Sequence, residues 1–256
     1  MRFTPFTRYV ALGDSFTEGV GDPDPSRPNG LRGWADRVAE QLAKHHPDFR
    51  YANLAIRGRK LPAIIAEQIE PAVALEPDLI TIYAGGNDML RPKVDLDASI
   101  AAYDEAIAKL AGTDARVLMW TAFDASGSAL FRGLRGRFAL YNELVREVAD
   151  RHGATIVDFW RFREYRDWRY WDADRLHMAA AGHQRMAQRV LELLDVPHTI
   201  PDPELPDLAI RSRREQFRHN LDWTRTAAIP WVHRRVTGRS SGDTITPKRP
   251  TLAPIE

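Results

Sequence analysis

Short apolar runs alternate with helix-patterned segments along the chain up to about residue 196. Strands are predicted at Arg8–Leu12, Arg50–Ala55, Leu79–Ala84, Arg116–Thr121 and Thr155–Asp158. Helices are predicted at Gly33–His45, Lys60–Glu70, Leu96–Leu110 and Gly136–His152, with Ala180–Leu194 after the last strand. Trp34, Val38 and Leu42 recur at i, i+4 and i+8, and Leu140, Leu144, Val145 and Val148 form a second stripe, each marking one buried helix face. Strands separated by helices cannot close as hairpins. The pattern therefore implies βαβ units: a parallel sheet, helices on both faces and right-handed crossovers.

The character changes after Val196. The stretch PHTIPDPELPDL is punctuated by proline, and residues 208–249 hold ten Lys or Arg against three Asp or Glu. The chain thus reads as one domain over 1–196 and a basic extension over 197–256. Phe217, Leu221, Trp223, Ile229, Trp231 and Val232 would anchor that extension on the domain, on a second copy, as in a homo-oligomer, or on something acidic. Its end, from Gly238 onward, is expected to be loose or ordered only by a partner.

Bulk properties exclude several functions. With 44% hydrophobic residues the chain can bury a sizeable core, and a net charge of +1 sets up no global field for nucleic acid or a membrane surface. The basic extension carries lysines, arginines and aromatics but no nucleic-acid module. A docked arm is the simpler reading of it, and no nucleic-acid partner is expected. The absence of cysteine rules out disulfides, thiolate metal sites and cysteine nucleophiles. No stretch approaches the roughly 18 apolar residues of a membrane helix, and the N-terminus lacks the apolar core of a secretory signal, so the expected compartment is the cytoplasm.

The chemistry-bearing segments sit at the strand ends. Gly13-Asp14-Ser15 follows the first strand, Asn53 to Gly58 the second, and Gly85-Gly86-Asn87-Asp88 the third. Asp174-Arg175-Leu176-His177 precedes the last helix. In a parallel sheet the carboxyl ends face one crevice. Ser15 alone is as well explained as a helix cap. With His177 three residues after Asp174, the carboxylate can fix the imidazole while the other ring nitrogen faces Ser15, the arrangement that turns a weak hydroxyl nucleophile into a strong one. The Ser15 N–H, the Gly58 N–H and the Asn87 amide are candidate donors to the oxyanion. Asn87 would serve equally well to hold a turn.

These blocks resemble those of the SGNH hydrolases, the GDSL esterase/lipase superfamily, over about residues 8–194. Gly13-Asp14-Ser15, Gly58, Gly85-Gly86-Asn87-Asp88 and Asp174-Arg175-Leu176-His177 occur in the family's order. Phe16 stands where the eponymous motif has leucine and is expected to pack into the core. The resemblance implies a flavodoxin-like three-layer α/β/α sandwich whose five parallel strands run in the order 2-1-3-4-5. It also implies a serine hydrolase of carboxylic esters, with Ser15, Asp174 and His177 as triad, Ser15, Gly58 and Asn87 as oxyanion hole, and no cofactor or metal. The expected partner is a small-molecule ester. Short acyl or acetyl esters fit best, with lipase, lysophospholipase or thioesterase activity as alternatives within the family. A non-catalytic protein binding through its basic tail is the alternative outside it.

Other residues are weighed singly. Arg57 and Arg59 flank Gly58 and are candidate contacts for an anionic or hydroxyl-rich part of the substrate, against solvated charge as the plainer reading. Tyr165, Trp168, Tyr170 and Trp171 precede the Asp-His pair; Trp171 is the candidate substrate contact, and anchoring the loop is the competing role. His183 is read as packing or solvent-exposed, with contact to the site as the competing role, and Asp14 and Asp88 are read as braces. Asp172, Asp174 and His177 lack the further ligands a metal site needs.

Overall fold

The computed structural model of the chain describes residues 5–91, 93–127, 131–208, 212–230, 233, 237 and 240–255. Strands β1 (Arg8–Gly13), β2 (Arg50–Asn53), β3 (Leu79–Tyr83), β4 (Arg116–Trp120) and β5 (Thr155–Val157) pair in parallel. The helices are α1 (Ser15–Glu18), α2 (Gly33–Ala43), α3 (Leu61–Ala74), α4 (Gly86–Met89), α5 (Leu96–Ala111), α6 (Arg135–His152), α7 (Ala180–Leu193) and α8 (Arg213–Trp223). The sheet order is β5-β4-β3-β1-β2-β6, with β6 at Arg249–Ala253. The first five strands thus keep the 2-1-3-4-5 order. The sixth was not expected, because the closing segment reads as loose in sequence. Its pairing with β2 is antiparallel, and a covered edge is no longer open to another chain.

The alternation along β1 explains the three layers. Val10 and Leu12 face one core with Leu61 and Ile64 of α3, Tyr103 and Ile107 of α5, and Tyr141 and Val145 of α6. Tyr9 and Ala11 face the other, with Trp34 and Val38 of α2 and Met186 and Val190 of α7. Successive strand residues point to opposite faces, so a strand that is apolar throughout needs helices on both sides. α3 was predicted to stop at Glu70, before Pro71, yet it continues to Ala74. Proline forfeits one helical N–H bond there, and burial of Ala72 and Ile69 in the first core holds the last turn in place.

The extension is tied to the domain by a buried ion pair. The Lys248 ammonium, on the approach to β6, lies 2.9 Å from Asp36 of α2, both side chains being inaccessible to solvent. Its other donors go to the carbonyls of Arg32, at 2.7 Å, and Leu31, at 3.3 Å. The Tyr51 hydroxyl donates to the same carboxylate at 3.0 Å. Burial pushes the Asp36 carboxyl up and the Lys248 ammonium down, and their mutual attraction opposes both shifts.

Candidate active site

β1 delivers Ser15 through a turn that only glycine tolerates. Gly13 has φ +140°, and a Cβ there would lie 2.4 Å from the Tyr83 carbonyl oxygen and 2.8 Å from Thr17 Oγ1. Asp14 then caps α1, its Oδ1 accepting the Phe16 N–H at 3.1 Å, and Ser15 becomes the first residue of that helix. The hydroxyl therefore stands at the carboxyl edge of the sheet's central strand.

The Asp174–His177 segment is shaped by its own side chain. Asp174 Oδ1 accepts the backbone N–H groups of Leu176 and His177, at 2.8 and 2.9 Å, while Oδ2 accepts from His177 Nδ1 at 2.6 Å. The loop is closed at its base by the Asp172 N–H bond to the His177 carbonyl and a bridge between Trp171 and Met178. His177 Nε2 is left 3.1 Å from Ser15 Oγ. Burial alone would raise the Asp174 carboxyl, but the imidazole and the two backbone N–H groups hold it at about 2. It stays an anion, able to keep the proton on Nδ1 and leave Nε2 as the base facing the serine.

Asn87 follows β3 and the left-handed Gly85 on α4. Its amide nitrogen donates to Asp14 Oδ2 at 2.9 Å and to the Arg59 carbonyl at 3.0 Å, linking the serine turn to the loop that carries Gly58. Asp14 is buried, and burial pushes its carboxyl up to about 7 despite the Phe16 N–H and the nearby His177. Asp88 accepts the Leu61 N–H at 2.9 Å, bracing the start of α3.

Gly58, with φ +76°, lies beneath the extension: a Cβ would meet Ser240 Oγ at 2.0 Å. The flanking cations are engaged by carboxylates. Arg57 donates its backbone N–H and its guanidinium to Glu18, whose side chain is fully buried, at distances from 2.6 to 3.0 Å. Arg59 pairs with Glu67 at 2.8 Å and approaches Asp243 at 3.8 Å. Ser15, Asn87, His177 and Trp171 line one cleft, and neither arginine is among its walls.

The walls of that cleft are apolar. Phe16 stacks on Tyr83 at 4.1 Å between ring centroids, and Phe123 packs on Trp171 at 4.8 Å. Phe16 both joins the second core and faces the cleft. Of the aromatics before the Asp-His pair, Trp171 reaches the cleft and donates its indole N–H to the Tyr165 carbonyl. Tyr165 is a buried anchor bonded to the Gly182 carbonyl, and Trp168 is exposed. His183 does not line the cleft. Fully buried, it accepts the Trp34 N–H and bonds the Val20 carbonyl, and burial lowers it to about 4.

Sequence reasoning missed Glu18, Gln68 and Phe138 as contributors to the site. Glu18 carried a signal, since it lies three residues after Ser15 and a cation flanks Gly58. The others had none beyond ordinary core patterning.

Comparison with known proteins adds the relationship. Residues 11–185 match the GDSL-like Lipase/Acylhydrolase family. No curated protein matches the chain. Among solved structures it is similar to LAE5, an alpha/beta hydrolase enzyme from the metagenome of Lake Arreo, with 24% identity, 75% of this chain and 97% of that chain covered, and a TM-score of 0.62. It is also similar to Axe2, an acetylxylan esterase from Geobacillus stearothermophilus, at 22% identity, 76% and 96% coverage and a TM-score of 0.62. A member of the lipolytic protein G-D-S-L family from Veillonella parvula has 19% identity, 73% and 97% coverage and a TM-score of 0.56.

Proposed function

The chain belongs to the GDSL-like lipase/acylhydrolase family, whose members hydrolyse esters, and from that premise we propose that it is a serine esterase for short acyl chains that works through an acyl-enzyme. The observation that carries the reading is the continuous hydrogen-bonded line from Asp174 Oδ2 through His177 to Ser15 Oγ. Ser15 Oγ attacks the ester carbonyl while His177 Nε2 takes its proton, and Asp174 stabilises the imidazolium that forms. The negative charge on the former carbonyl oxygen is met by the Ser15 and Gly58 N–H groups and by the Asn87 amide, which exchanges its bond to Asp14 for one to the oxyanion. His177 then protonates the departing alcohol, and a water deprotonated by the same nitrogen cleaves the acyl-enzyme.

The walls support a short apolar acyl group. Phe16, Phe123, Phe131, Phe138 and Trp171 surround the space beside Ser15; Phe123 packs on Phe131, Phe138 and Trp171, and Phe16 on Tyr83, so they form fixed surfaces. Acetylated oligosaccharides, by analogy with Axe2, are the competing substrate, and exposed Trp168 near the rim is the feature that favours them.

The test is hydrolysis of p-nitrophenyl acetate, butyrate and octanoate, and of acetylated xylo-oligosaccharide, by the wild type and Ser15→Ala. Turnover confined to the wild type and greatest for acetate or butyrate is expected. Unchanged turnover in Ser15→Ala would remove the mechanism. A preference for octanoate would replace the short-acyl reading with a lipase, and a preference for the oligosaccharide would replace it with a carbohydrate esterase.

A further inference from the structure

We propose that the basic C-terminal extension is part of the catalytic apparatus, with Trp223 and Arg175 acting as positioning residues for the Asp174–His177 pair; the proposal rests on the esterase reading of that pair. α8 begins with a capping box, Ser212 and Glu215 bonding each other's backbone N–H groups, so its start is fixed by local sequence. Its far end meets the loop of the proposed acid–base pair. The Trp223 indole N–H donates to the Asp174 carbonyl at 2.9 Å. This is the backbone of the residue whose carboxylate holds His177.

Arg175 completes the contact. It lies between Asp174 and His177 with φ +59°, a left-handed conformation that side-chain-bearing residues seldom adopt. Such a conformation persists only where surrounding contacts over-determine it. Here α8 supplies them. The guanidinium lies over the Trp223 ring at 4.6 Å, and its Nη2 donates to Asn220 Oδ1 at 2.8 Å and to His219 Nδ1 at 3.0 Å. The turn that aims His177 Nε2 at Ser15 is therefore shaped from within by Asp174 and braced from outside by α8.

The extension also touches the loop that carries Gly58. Ser240 Oγ donates to the Arg57 carbonyl at 3.3 Å and packs on Gly58, and a Cβ on Gly242 would meet the same carbonyl at 2.1 Å. Two loops that must keep their spacing during acyl transfer, the acid–base loop and the loop of the proposed oxyanion donor Gly58, are thus both touched by residues beyond 212. A displacement of about 1 Å at a reacting centre costs up to about a hundredfold in rate. A brace on each loop is the kind of contact that prevents it.

The experiment uses the full chain with three substitutions. Trp223→Phe keeps an aromatic face for Arg175 and removes the donor to Asp174. Arg175→Ala removes the brace but leaves a Cβ in the left-handed turn, whereas Arg175→Gly removes the brace and the strain together. kcat and KM on p-nitrophenyl acetate, Tm, and the downfield proton resonance of His177 Nδ1–H, assigned by its loss in His177→Ala, are recorded for each. The expected result is a fall in kcat of about tenfold for Trp223→Phe and more for Arg175→Ala, with partial recovery in Arg175→Gly. KM stays within about twofold and the Nδ1 proton broadens in the same order. Wild-type kcat and an unaltered resonance in Trp223→Phe and Arg175→Ala would overturn the proposal. So would losses that simply track Tm. If the wild type hydrolyses nothing, the esterase reading fails by itself, and the resonance still decides whether α8 holds the loop.

Discussion

Gln68 of α3 grips the Gly13 peptide from both sides: its Oε1 accepts the Gly13 N–H at 2.8 Å and its Nε2 donates to the Gly13 carbonyl at 2.9 Å. Gly13 ends β1 two residues before Ser15, where a sheet ladder gives way to a turn. A buried side-chain amide there replaces the partners that a continuing strand would have supplied.

Gln68→Leu keeps the volume and removes both bonds. The expected cost is about 1 to 3 kcal/mol of stability, because the buried Gly13 N–H loses its partner and the carbonyl is left with the Ile56 N–H at 3.3 Å. A fall of about tenfold in kcat should accompany it as the serine turn shifts. Denaturant unfolding and turnover on p-nitrophenyl acetate check this. A variant as stable and active as the wild type would show that the grip is idle.

Asn87→Ala tests the proposed third oxyanion donor. Removal of one such donor lowers kcat by about 100- to 1000-fold with little change in KM. Steady-state kinetics on the preferred short-acyl ester gives the answer. A loss below about threefold would assign Asn87 to the structural bonds it makes with Asp14 and Arg59 alone.

Lys248→Met removes the charge that opposes the effect of burial on Asp36, leaving a buried acid that must stay unpaired or take up a proton, and is expected to cost about 3 to 5 kcal/mol. The double variant D36L/K248M, which removes both charges, should recover much of that loss. Chemical denaturation distinguishes the two. A single variant within 1 kcal/mol of wild type, an allowance of roughly the ordinary surface-substitution scale, would mean that the pair does not hold the extension.

His183 makes stability depend on pH with a definite sign. Its folded value of about 4 lies below the ordinary 6.5, so the folded state binds fewer protons than the unfolded chain between those values. Its contribution is complete above pH 6.5 and is lost as pH falls through about 4, an effect of about 3 kcal/mol. Asp14 acts in the opposite sense: raised from 3.8 to about 7, it favours the fold at low pH and loses that contribution as pH rises through 7. His183→Gln keeps a donor and an acceptor without the titration. Its stability deficit should be largest near pH 7 and shrink toward pH 4, as measured by urea unfolding at both. A deficit that is constant with pH would assign the shift elsewhere.

What could be read in the sequence was what short-range order determines. Strand and helix periods appear within windows of a few residues, so the five parallel strands and the two-sided helix layers were legible. The Asp174 turn was legible for the same reason, since the carboxylate bonds the N–H and ring of a residue three positions away. Glu18 with Arg57, Gln68 with Gly13, and Lys248 with Asp36 lie 39, 55 and 212 positions apart, a span no local pattern encodes. The closing segment is polar and proline-bearing, and becomes β6 because β2 offers an unpaired edge and Asp36 a buried charge to meet. Its order comes from partners that exist once the sheet has formed. The sequence by itself determined which residues stand at the strand ends. Only the tertiary structure decided what holds those ends in place, because each brace pairs groups that folding alone brings within bonding distance.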